Sequence, residues 1–112
     1  MAASEFNSGN IHIRHKVLAL DQVVPGHEHN FDHTTYCPYG TLLVERLDED
    51  GNTLKSITLN AKSGNNWCLI EAGVRHRLTA KEEGTIMHCL YSHRTPQGDI
   101  VQTYTGWEKA YV

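Results

Sequence analysis

The chain has 112 residues, 39% hydrophobic and 21% charged, the composition of one ordinary globular domain. Ten Lys and Arg against thirteen Asp and Glu leave a formal charge of −3, so there is no basic surface to neutralise a nucleic-acid backbone. No apolar run approaches the roughly 20 residues that a membrane-spanning helix needs, which leaves nucleic acid and membrane as unsuitable partners.

Residues 1–10 are small and polar, with neither a basic stretch nor an apolar core of the secretory kind. They are expected to be a disordered leader, in part a cloning scar through Glu5-Phe6, with residues 11–112 forming a single domain. From Ile11 to Ala19 the pattern alternates: Ile11, Ile13, Val17 and Ala19 share one parity, His12, Arg14 and Lys16 the other. This predicts a half-buried strand with the apolar parity, and His15 with it, turned inward. Val23-Val24-Pro25-Gly26 reads as a turn. Thr41–Leu47 and Leu54–Leu59 flank Asp48-Glu49-Asp50-Gly51-Asn52 and predict a hairpin. Trp67–Ile70, Thr85–Tyr91 and Ile100–Tyr104 are further predicted strands, divided by Lys62–Asn66, Lys81–Gly84 and Thr95–Gly98. With no sustained helical period and short strands every 8–12 residues or so, the expectation is an all-β sandwich or barrel.

Three Cys, at 37, 68 and 89, are odd in number and widely spaced, without a CxxC pair. They support neither a disulfide framework nor a zinc knuckle, and they suit a reducing, cytoplasmic setting. Cys37 and Cys68 read as buried apolar residues, since nothing basic is placed to lower their pKa.

Eight His in so short a chain are the compositional anomaly. His27, His29 and His33 stand at relative positions 0, 2 and 6 of Pro25–His33, so an unbroken strand would carry three imidazoles on one face. Buried separately, each ring would need its own partner, whereas one bound metal serves all three. About forty residues later, Glu71–Leu78 places Gly73 where a turn needs positive φ and delivers His76 to the start of a strand.

Gly26-His27-Glu28-His29, His33, Gly40 and then Gly73-Val74-Arg75-His76 resemble the two motifs of the cupin superfamily, over roughly residues 17–91. The first motif there reads HxH, three or four residues, Glu, six residues, Gly; His27, His29 and Gly40 match, and His33 stands at the Glu position. The second reads PxGxxH; Gly73 and His76 match, Glu71 stands where Pro is usual, and Ala80 replaces the usual Asn. The resemblance implies a double-stranded β-helix, or jelly-roll barrel, with a divalent metal held by His27, His29, His33 and His76. Four neutral imidazoles would leave the ion without an anionic ligand. Imidazole suits Fe2+, Ni2+, Zn2+ and Cu2+, with Fe2+ the first expectation and Mn2+ a further one. If His33 is not a ligand, three His remain and the fourth is available for proton transfer.

Around that site Tyr36, Arg75 and His88 are the candidate catalytic residues: a phenol to donate to substrate oxygen, a guanidinium to fork onto a carboxylate, and a base. His88 shares a parity with Ile86 and Leu90, and Met87, Cys89 and Tyr91 share the other; the sequence leaves open which faces the cavity. Trp107 and Tyr111 would close one barrel end or face a second copy. The expected function is a metal-dependent enzyme acting on a small, oxygen-rich anion, first as an iron-dependent dioxygenase. Redox-neutral isomerase or lyase chemistry on a sugar-acid-like substrate, and a non-catalytic metabolite-binding module, are the alternatives. A homodimer is expected.

Overall fold

A computed structural model describes residues 2–27, 31–92, 94, 97 and 98, with the backbone path alone at 2, 3 and 25–27. Nine strands follow in chain order: β1 (Ala2–Ser8), β2 (Ile11–Leu18), β3 (Val23–His27), β4 (His33–Tyr39), β5 (Thr41–Leu47), β6 (Thr53–Asn60), β7 (Trp67–Ile70), β8 (His76–Ala80) and β9 (Thr85–Ser92). They form two antiparallel sheets, one ordered β1-β2-β9-β4-β7 and the other β3-β8-β5-β6. No helix occurs among the described residues. The all-β jelly-roll expectation therefore holds, as two facing sheets rather than a closed barrel.

The local reasons are visible in the connections. Asp48 accepts from the backbone N–H groups of Asp50 and Asn52 at 2.9 and 2.8 Å, and this Asx turn joins β5 to β6. Gly40, between β4 and β5, has φ +85°, and a Cβ there would lie 2.5 Å from Thr85 Oγ1 and 2.9 Å from Thr85 Cα. Only glycine lets this corner pass the first residue of β9. Between the sheets, Leu18, Val24, Leu42, Val44, Leu59, Ile70, Leu78 and Met87 make the buried core.

Three expectations are corrected here. Residues 2–8 are not a disordered leader: β1 pairs with β2 in unbroken register from Ala2↔Val17 to Ser8↔Ile11, which covers the edge that β2 would otherwise expose. The predicted strand at 11–19 exists, but its faces are reversed. Opposite β9, His12 meets Tyr91, Arg14 meets Cys89, Lys16 meets Met87 and Leu18 meets Thr85, and each of those β9 residues is buried. The polar parity of β2 thus looks inward, while Ile11, Ile13, His15 and Val17 join Ser92, Leu90, His88 and Ile86 on the outer face. Finally, His27 and His33 do not share a strand: His27 ends β3 in the four-stranded sheet and His33 begins β4 in the five-stranded one. The predicted strand Ile100–Tyr104, with Trp107 and Tyr111, lies outside the described residues.

Candidate metal centre

His76 opens β8 directly after a turn in which Val74 N–H donates to the Glu71 carbonyl at 3.2 Å and Gly73 takes φ +79°. Its ring is fully buried. Nδ1 lies 3.0 Å from the Val74 carbonyl oxygen. A carbonyl can only accept, so Nδ1 carries the hydrogen, and in the neutral ring Nε2 is the nitrogen with the lone pair. A backbone carbonyl on the other ring nitrogen is the usual way in which a metal-binding imidazole is oriented.

His33, 2% exposed at the start of β4, comes from the opposite sheet, and its ring centroid is 5.3 Å from that of His76. Two buried imidazoles therefore meet across the sandwich. His27 is the direct cross-strand partner of His76, after an irregularity in the β3–β8 ladder between Val24 and His27. The third member of the histidine set thus reaches this level of the fold by register; His29 lies outside the described residues. Among the described residues no three His, Cys, Asp or Glu side chains gather into a metal-binding group. The pair itself fits a transition ion, because it offers neutral nitrogen donors from two facing sheets, one with its tautomer fixed by the backbone.

A hydrogen bond holds the two motif regions together. Asp32, just before β4, accepts from the Ala72 N–H at 2.8 Å, which ties the approach to His33 to the turn before His76. Phe31 packs beside them, its ring 6.3 Å from His33 and 4.6 Å from Tyr91, and Tyr91 is 4.9 Å from His12. His12 was not singled out from sequence. It is buried, its Nδ1 donates to Asn7 Oδ1 at 2.5 Å, and its Nε2 is 3.5 Å from Glu5. The only sequence signal for it was the period-two run His12, Arg14, Lys16, which was assigned to solvent.

The three candidate catalytic residues lie elsewhere. Tyr36 sits opposite His88 on the outer face of the five-stranded sheet, their rings 6.0 Å apart, because in both β4 and β9 the alternate residues are the buried ones. His88 Nε2 is 2.8 Å from His15 Nδ1 on that same face. Burial first, and the neighbouring His15 second, lower the pKa of His88. The parity left open for β9 is thereby settled in favour of Met87, Cys89 and Tyr91 facing inward. Arg75 is exposed and donates to the Glu49 carbonyl at 3.1 Å, whereas the adjacent His76 is buried. The cysteines are inert by environment: burial pushes Cys89 up to about 12 and Cys37 up to about 11.

No family model matches the sequence, and no curated protein matches it. Solved structures do match the fold. A cupin-2 domain protein from Shewanella frigidimarina superposes with a TM-score of 0.62 at 19% identity, covering 81% of this chain and 79% of that one. A cupin superfamily protein from Desulfitobacterium hafniense gives 0.62 at 15% identity, covering 81% and 77%. A variant of oxalate decarboxylase from Bacillus subtilis gives 0.67 at 19% identity over 90% of this chain, which spans only 28% of that protein. The coconut allergen cocosin gives 0.59 at 21% identity, and the chain spans 21% of its length.

Proposed function

Starting from a cupin fold, we propose that this protein is a metal-dependent enzyme for a small, oxygen-rich anion, with His27, His29, His33 and His76 as the ligands of one divalent transition ion. The observation that supports it most is the His33–His76 pair, 5.3 Å apart between the sheets, with His76 Nδ1 engaged by a backbone carbonyl. The bound ion would supply Lewis-acid or oxygen-activating chemistry. Val74 fixes the His76 ring, Asp32 holds the two motif regions in register, and Phe31 and Tyr91 screen one flank of the pair from water.

A neutral nitrogen donor set suits Fe2+, and the first reading is an iron-dependent dioxygenase. The likeness to oxalate decarboxylase favours a second, redox-neutral chemistry on a small carboxylic acid. The proposal takes the protein as a cytoplasmic homodimer. Its contact would be the outer face of the five-stranded sheet, where Phe6, Trp67 and Leu69 are about half exposed beside Ile13 and Leu90.

Elemental analysis after gel filtration tests the site. About one equivalent of metal is expected in wild type, none in His76→Ala, and a reduced content in His33→Ala. Equal metal in all three would defeat the assignment. Oxygen uptake after anaerobic Fe2+ reconstitution, over diketones, thiols and catechols, separates the two chemistries: no uptake with any of them leaves the redox-neutral reading.

A further inference from the structure

A second pair of imidazoles stands apart from the inner centre. His15 of β2 and His88 of β9 are direct cross-strand partners on the outer face of the five-stranded sheet, both half-buried. His15 Nδ1 is 2.8 Å from His88 Nε2, and the ring centroids are 4.9 Å apart. Tyr36 of β4 continues the row, its ring 6.0 Å from that of His88, and Ser4 of β1 ends it on the other side. The neighbouring rows are apolar, Ile13 with Leu90 and Val17 with Ile86. Among the described residues this face carries no Asp, Glu, Lys or Arg, so no ion pair competes for either ring.

The hydrogen bond between the rings sets up a chelate. Burial first, and the neighbouring His15 second, lower the pKa of His88, so its ring is uncharged at neutral pH. Between two neutral rings one nitrogen donates and the other accepts. Moving that single hydrogen to the far nitrogen of its own ring leaves two lone pairs side by side, with no proton lost from the protein. An ion about 2.0 Å from each of two nitrogens 2.8 Å apart sees them at about 90°. That is the angle between neighbouring positions of a square-planar or octahedral ion, whereas a tetrahedral one needs donors about 3.3 Å apart. The rings now point at each other, and turning each by about 45° on the soft χ2 torsion of histidine aims both lone pairs at such an ion.

We infer that His15 and His88 form a second transition-metal site on the outer face, a neighbouring pair of imidazoles that takes Ni2+ or Cu2+ ahead of Zn2+. Water fills the remaining positions. β2 meets the rest of the sheet through β9, and β1 only through β2, so the ion fastens this N-terminal pair of strands to the sheet. Two protein ligands hold an ion loosely, and gel filtration strips it, so the single equivalent expected for the inner centre is unaffected.

Ni2+ titrated by calorimetry into EDTA-treated, dialysed full-length protein tests this without activity. Wild type is expected to show a tight inner class and a weaker outer one. The weaker class is lost in both His15→Gln and His88→Gln, which keep the tight one, and it survives in His76→Ala. Zn2+ binds there at least tenfold more weakly than Ni2+; equal binding would overturn the right-angled geometry. In a homodimer joined through this face one ion lies between two such pairs and counts as half an equivalent per chain; either count, lost in both variants, assigns the ion to the pair. An ion that bridges paired strands stabilises the fold, so Ni2+ should raise the melting temperature of wild type several degrees more than that of His15→Gln. A titration unchanged in both Gln variants, or equal melting shifts, overturns the site. If one Gln variant does not fold, the other decides. A wild type that shows the weaker class alone removes the inner centre and leaves this pair standing.

Discussion

Gly40 shows how one residue can hold a sheet corner. With φ at +85° and Thr85 packed against it, Gly40→Ala adds both a disfavoured backbone conformation and a backbone collision. The expected loss is about 2–4 kcal/mol of stability, measurable by urea denaturation. This glycine was legible in the sequence because the motif needs it at that place. His15 was not: its parity gave it to the core, whereas it bonds to His88 on the outer face. Burial lowers the affinity of His88 for a proton in the folded state, so the unfolded chain binds protons more readily. Stability from this group is therefore complete above the ordinary imidazole pKa of about 6.5 and declines as the pH falls below it. The denaturation midpoint of wild type should drop between pH 7.5 and 5.5 by more than that of His88→Gln; equal drops would show that other groups carry the acid sensitivity.

At the scale of elements, β7 and the β5–β6 hairpin were read from sequence almost to the residue, because turn chemistry and β-rich runs are local signals. The facing of β2 was misread for a physical reason. Periodicity reports that two faces differ, and it assigns the apolar one to the interior only when the other meets water. Here the interior holds Arg14 and Lys16, and the outside is a sheet face bearing Ile13, Leu90 and Trp67. β1 was missed because Ala2–Ser8 is polar and carries no strand signal of its own; its structure comes from pairing with β2 and from the Glu5–Arg14 and Asn7–His12 contacts. Deleting residues 1–8 should thus lower the melting temperature by several degrees and leave β2 as an open edge, seen as concentration-dependent light scattering. A truncated protein as stable and as dispersed as the full chain would mean that β1 is dispensable.

For the molecule as a whole, the histidine spacing singles out residues that the fold brings to one level from two different sheets. One strand face was expected to carry His27, His29 and His33, whereas His27 and His33 stand in different sheets, since the chain crosses from one to the other between them. The Asp32–Ala72 bond spans that crossing, and Asp32→Ala should weaken metal retention about tenfold in competition with a chelator while both His33 and His76 remain. The strand order carries a consequence for synthesis. β2 finds its inner neighbour only in β9, and His33 meets His76 only when β8 has taken its place beside β3 and β5. As the chain leaves the ribosome, the early strands therefore wait for the last ones, and neither half of the molecule can close by itself. Folding is a late, concerted event in which most pairings join distant parts of the chain. Before β8 has formed, the histidine segment has no buried partner for His33, so an ion could be held between the two rings only after that strand is in place.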